Sequence, residues 1–268
     1  LLGSAVFNAA SEHAEHEVIP LGRFNYDITD AEQIRRAFAE QPADAVINCA
    51  AFAGVDAAEE PHLRELVFAL NTEAPRVMAT ECRERGLPFF HISTDYVFDG
   101  TRGDYREDDA PQPVNVYGES KLAGEQAVLA EYPAATVVRT ARLFGATGEN
   151  FVTGLKIPAR RGRPLRAVED ERGSFTYAPD LAERLLQLVA ERGASGIPHL
   201  AGAEPASPYQ VSEAVVAVLK SRSSVTAITS AELQRPAARP LDTSLLCTRQ
   251  PPLRSFREAL PDLFRLRR

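Results

Sequence analysis

The chain has no tryptophan, one methionine and only three cysteines in 268 residues. Cys49, Cys82 and Cys247 are odd in number and far apart, which fits neither a disulfide framework nor a metal clip. His13, His16, His62, His91 and His199 supply no ligand set at metal spacing, so no metal is expected. No run approaches the roughly 18 consecutive apolar residues of a membrane-spanning helix, and no basic start followed by an apolar core marks a secretory leader. The expectation is a cytoplasmic protein with no membrane partner. Basic charge is also short: 30 Lys and Arg against 37 Asp and Glu leave a net charge of -7, the wrong sign for a binder of phosphate backbones. Nucleic acid is therefore not an expected partner.

What is present is enough apolar residue, 44%, to fill the core of one large domain. Short apolar runs without clean alternation occur at Glu17–Leu21, Ala45–Ala50, Pro88–Ser93 and Thr136–Arg139, and suit strands covered on both faces. Between them, Ile34, Ala37 and Phe38, then Leu63, Leu66, Val67 and Leu70, then Leu122, Ala123, Gln126 and Leu129, recur at helical spacing. Strands alternating with helices predict an α/β fold, a doubly wound, Rossmann-like parallel sheet with a small C-terminal substrate lobe. Residues 1–145 read as a dinucleotide-binding core. Residues 146–268, richer in proline and arginine, read as a substrate-binding lobe with interleaved core elements. Leu1–Val6 looks like a helix already under way, and a first strand with its glycine turn is expected in front of it; of that turn only Gly3 is seen.

The chemistry concentrates in two segments. Tyr117 and Lys121 stand four apart in a helix that Asn115 is placed to cap, after Pro111 and Pro113, so phenol and ammonium share a face. A cation beside a phenol favours the phenolate, which would bring the tyrosine pKa down toward working pH for general acid catalysis. The run Ile92–Gly100 ends an apolar strand in hydroxyl and carboxylate side chains, at the sheet edge where open α/β folds bind ligands, and the Thr94 hydroxyl can hold a substrate oxygen there.

The segments Ile47–Ala51, Val55–Glu59, Ser93–Gly100 and Asn115–Glu125, followed in order by Arg139-Thr140, Gly148–Phe151, Gly173–Thr176 and Leu241–Ser244, resemble the successive signatures of the dTDP-4-dehydrorhamnose reductase family. The resemblance spans nearly the whole chain. It implies Thr94, Tyr117 and Lys121 as the catalytic triad and Asp95 as a contact to a nucleotide sugar. It also implies cofactor contacts at Leu2 and Gly3, at Asp27 and Ile28 on the adenine side, at Ala51, Phe52 and Ala53 beyond a strand end, and at Tyr117 and Lys121. The implied reaction is NADPH-dependent reduction of the C4 ketone of a 4-keto-6-deoxy sugar nucleotide, dTDP-4-dehydrorhamnose to dTDP-L-rhamnose.

Departures from the pattern matter. Arg142 stands where the family has a tryptophan of the sugar pocket, Ala53 where a threonine is usual and Pro208 where a second tryptophan is usual. Arg142 offers a substrate contact by charge in place of a flat ring, or a solvent-facing arginine. Arg23, past the second expected strand, suits a 2′-phosphate and so NADPH, with NADH as the other choice. The run Lys156, Arg160, Arg161, Arg163 and Arg166 either meets the substrate diphosphate or forms a solvated face balanced by Glu169, Asp170 and Glu171. Two other readings stay open: a non-catalytic regulatory subunit resembling the β subunit of methionine adenosyltransferase, and an epimerase of the same fold. A homodimer is compatible with each.

Overall fold

The computed structural model describes residues 1–194 and 196–265. The first half runs α1 (Leu2–Ala10), α2 (Ala31–Glu40), β1 (Val46–Asn48), α3 (Arg64–Phe68), α4 (Ala74–Arg85), β2 (Phe89–Thr94), α5 (Val116–Glu131) and β3 (Thr136–Thr140). Strands β1, β2 and β3 lie side by side in that order, all parallel, with Asn48 opposite His91 and Thr94 opposite Thr140. The expected α/β fold is therefore present. Its lack of alternation has a simple cause: adjacent side chains of a strand enter opposite faces, and both faces here are covered. Phe90 and Val138 pack with Val6 of α1 and with Leu181 and Leu185, whereas Phe89 and Val137 pack with Cys82 of α4 and Val128 of α5.

The expected strand at Glu17–Leu21 does not form; the segment is a loop, with Ile19 and Leu21 exposed. A strand is held by its ladder partner more than by its own propensity, and β1, the neighbour on that side, pairs only with β2 among the described residues.

The second half adds β4 (Leu143–Phe144), α6 (Phe151–Arg160), β5 (Leu165–Val168), β6 (Gly173–Ser174), β7 (Thr176–Tyr177), α7 (Ala178–Ala190), β8 (Pro205–Ala206), α8 (Pro208–Val218), β9 (Val225–Ile228) and α9 (Phe256–Arg265). Pairs β4–β7 and β5–β9 are parallel and β6–β8 is antiparallel. A separate apolar centre forms here from Phe144, Leu155, Phe175, Val215, Phe256 and Leu260. Helix α7 belongs to the other centre, against α1, so the chain returns to the first sheet after building part of the second lobe.

Candidate active site

The site is built where β2 ends. Thr94 leaves the sheet in extended conformation and its Oγ1 accepts the Tyr96 amide at 3.2 Å, which caps the tight turn Asp95–Val97 and aims the next side chains across the carboxyl edge. Asn115 caps α5 as the sequence predicts, its Oδ1 accepting the Gly118 amide at 2.8 Å. The first turn of α5 lies directly on that β2 turn: a Cβ at Gly118 would fall 2.3 Å from the Tyr96 carbonyl oxygen. This close approach delivers Tyr117, whose ring stands edge-on to Tyr96 at 5.9 Å and whose phenol is hydrogen-bonded with the Thr94 hydroxyl. Thr94 Oγ1 also donates to Asp95 Oδ1 at 3.1 Å, and Asp95 Oδ2 accepts from Thr243 Oγ1 at 2.5 Å. Thr94, Asp95 and Tyr117 thus form one polar chain, its first two members buried, tied by Thr243 to the C-terminal segment.

The electrostatics correct one expectation. The Tyr117 phenol is pushed up from its ordinary value, because the surrounding protein strips water from it and because Asp95 and Tyr96 add negative character. Lys121 shares its helix face, but the tip turns back to the sheet, where Nζ donates to the Ile92 carbonyl at 2.6 Å and lies 3.4 Å from His91 Nε2. Lys121 is 2% exposed, and burial lowers its pKa to about 8 against the opposing pull of Glu125. Asp95, equally buried, is raised by desolvation, with Thr243, Arg142 and Thr94 opposing.

A residue that spacing did not single out ties the pieces together. Between α3 and α4 the helix widens into a π turn, Ala69–Glu73, and turns of this kind often sit at functional sites. Its Asn71 is fully buried; Oδ1 accepts the Phe52 amide at 2.8 Å, and Nδ2 donates to the Phe52 carbonyl at 3.1 Å and to Ser120 Oγ at 2.9 Å. The Ala51–Ala53 loop past β1 is thereby held against α5. The signal was available: one amide following Val67 and Leu70 on the covered side of a helix.

Arg142 lies at the mouth of a cavity of about 330 Å³ whose lining includes Tyr96, Phe175, Glu171, Arg235 and Pro208. Its backbone is left-handed (φ 40°), its guanidinium lies 5.5 Å from the centre of the Phe175 ring, and its Nε is buried with no hydrogen-bond partner among the described residues. Gly173 makes the room, since a Cβ there would sit 2.4 Å from Arg142 Nε. The acidic trio does not balance the basic run. Glu171 turns inward to pair with Arg235, Asp170 accepts from the Ser230 amide at 2.7 Å, and Arg166 pairs with Glu232 at 3.0 Å.

The remaining candidates lie apart from this cluster. Leu2 is buried in the core, and Gly3 faces Cys49, with 3.8 Å from an added Cβ to the Cys49 Cβ. Arg23 is exposed, over the Phe24 ring at 5.2 Å; Asp27 Oδ1 accepts from the Thr29 amide at 2.9 Å; Ile28 packs toward Ile34 and Val77.

The likeness to known proteins spans nearly the whole chain. The family model of the RmlD substrate binding domain matches residues 1–266. The chain is 38% identical over 98% of its length and 91% of the relative's to a probable dTDP-4,6-dihydroxy-2-methyloxan-3-one 4-ketoreductase of Streptomyces antibioticus. It is 41% identical, over 92% of its own length and 77% of the relative's, to dTDP-4-dehydrorhamnose reductase of Mycolicibacterium smegmatis. Its fold superposes with a TM-score of 0.91 on the crystal structure of dTDP-4-dehydrorhamnose reductase from Bacillus anthracis in complex with NADP, at 28% identity over 97% of this chain and 95% of that one.

Proposed function

The chain belongs to the RmlD substrate binding domain family, and from that membership and the site geometry we propose that it is an NADPH-dependent oxidoreductase reducing the C4 ketone of a nucleotide-linked 4-keto-6-deoxy sugar, dTDP-4-dehydrorhamnose to dTDP-L-rhamnose or a close relative. The observation that carries the reading is the polar chain Thr94, Asp95 and Tyr117 at the end of β2, beside a cavity of about 330 Å³.

The residues present fit a dinucleotide. The amides of a helix N-terminus suit a phosphate, and Gly3 in the first turn of α1 faces Cys49 just past β1. Small side chains at Ala51 and Ala53 let a ligand approach a loop that Asn71 holds still. In the proposed complex Leu2 and Gly3 take the phosphates, Asp27 and Ile28 the adenine side, Arg23 a 2′-phosphate, and Ala51, Phe52, Ala53, Tyr117 and Lys121 the nicotinamide end. When bound, NADPH supplies the hydride. The chain supplies the rest: Thr94 Oγ1 and the Tyr117 hydroxyl hold the ketone oxygen, and Tyr117, which keeps its proton near neutral pH, releases it as negative charge develops on that oxygen. Asp95 and Arg142 hold the sugar and its leading phosphate. Arg142 and Phe175 together give a charged, flat wall where a tryptophan ring is usual.

Loss of NADPH absorbance with a panel of 4-keto sugar nucleotides tests the reading. Turnover with dTDP-4-dehydrorhamnose or its 2-deoxy analogue supports it. NADPH binding without oxidation by any member of the panel would leave the regulatory-subunit reading in its place.

A further inference from the structure

His91 is fully buried behind the catalytic helix and the mechanism above does not use it. Its two ring nitrogens face two side chains. Nδ1 lies 3.2 Å from Asn48 Nδ2 and Nε2 lies 3.4 Å from Lys121 Nζ. The orientation of Asn48 is not free, because its Oδ1 accepts the Ala50 amide at 3.0 Å, a donor that cannot be reversed. The amide nitrogen, which only donates, therefore points at Nδ1, and Nδ1 must accept. Burial and the Lys121 charge keep the ring neutral, so its single proton is on Nε2, directed at Lys121. An ammonium at Lys121 would meet that N–H donor to donor. A free amine accepts it with its lone pair while still donating to the Ile92 carbonyl.

We propose that His91 is a positioning residue, locked by Asn48 as the Nε2–H tautomer, whose N–H faces Lys121 Nζ and favours the free amine of this lysine over its ammonium. The other groups facing Lys121 pull the opposite way: Glu125 one turn along α5, and Cys49 at the end of β1. A lysine whose free amine is favoured in this way can release and regain a proton in each turnover, which a fixed ammonium cannot. The proposal rests on the reading of Lys121 as part of a reductase site.

The chain has only three lysines and five histidines, so both groups can be followed by NMR without crowding. With lysine labelled at Cε, the Lys121 midpoint in the wild-type protein should fall below that of an ordinary lysine, to about 8. In His91→Gln, whose carbonyl can turn to accept from the ammonium, the midpoint rises by about one pH unit, and the alkaline limb of kcat moves with it. Nitrogen-15 spectra of the wild-type imidazoles show His91 protonated on Nε2, a readout that needs no variant to fold. A Nδ1–H ring, or an unmoved Lys121 midpoint in His91→Gln, overturns the proposal. Neither spectrum needs a substrate, so an absent turnover would count against the reductase reading and leave the role of His91 to the spectra.

Discussion

Tyr117 faces the cleft with its proton held firmly, Thr94 beside it and Asp95 one bond further. In the proposed mechanism, replacing it with phenylalanine removes the group that gives its proton to the ketone oxygen, and kcat should fall about 10²- to 10⁴-fold while the NADPH Kd stays within a factor of a few. Retention of a tenth of the activity in steady-state assays would assign the proton to another group. The wall residue is a separate matter. Arg142 presents a buried Nε with no hydrogen-bond partner among the described residues, and if it holds the substrate as proposed, Arg142→Ala should lose a charge-assisted contact of about 1.5–3 kcal/mol, read as a roughly ten- to hundredfold drop in kcat/KM for the preferred sugar nucleotide. An unchanged kcat/KM would make Arg142 structural, a partner for Phe175 only. That Tyr117 and Lys121 leave the same face of α5 was legible, because helical spacing alone fixes it. The turned tip of Lys121 was not, since it depends on the Ile92 carbonyl of another element, and neither was the stacking of Arg142 on Phe175, more than thirty positions away.

Helix α5 meets the π turn at the closest approach in this site: a Cβ at Gly124 would lie 2.1 Å from the Asn71 carbonyl oxygen. That neighbour is backbone and cannot step aside cheaply. Gly124→Ala should therefore destabilise the fold by about 1–3 kcal/mol, visible as a lower urea midpoint, even though alanine is the better helix former. A gain in stability would mean that α5 and the π turn are not packed this closely. The elements themselves were largely readable, since α2, α5 and the three central strands follow periodicity and capping. A π turn is not, because its wider hydrogen-bonding leaves no separate period in the sequence. The loop at Glu17–Leu21 shows the complementary failure, where strand propensity without a ladder partner gives no strand.

At the scale of the molecule, the C-terminal segment is held to the sheet by buried carboxylates. Glu107 accepts from the Thr248 and Arg249 amides at 2.9 and 3.2 Å and from the Thr248 hydroxyl. Burial alone would raise its pKa, but these bonds win and lower it from 4.5 to about 2. A carboxylate depressed in the fold stabilises it fully above the unfolded value, and the contribution disappears as pH falls through the folded one. Glu107→Ala should cost roughly 3 kcal/mol at neutral pH and lose less stability than wild type between pH 4.5 and about 2. Parallel acid profiles in urea titrations of the two proteins would contradict this assignment. Composition shows where the chain turns richer in proline and arginine, whereas these clamps join residues about 140 positions apart and no local pattern marks them. The claim on which the whole account turns is hydride transfer to a sugar carbon. It is tested most directly by supplying NADPH deuterated at the transferable position with dTDP-4-dehydrorhamnose and its 2-deoxy analogue, and reading the product by NMR. The account predicts one deuterium at C4 of the sugar, and its loss on Tyr117→Phe; cofactor that binds while every sugar stays free of deuterium would contradict it.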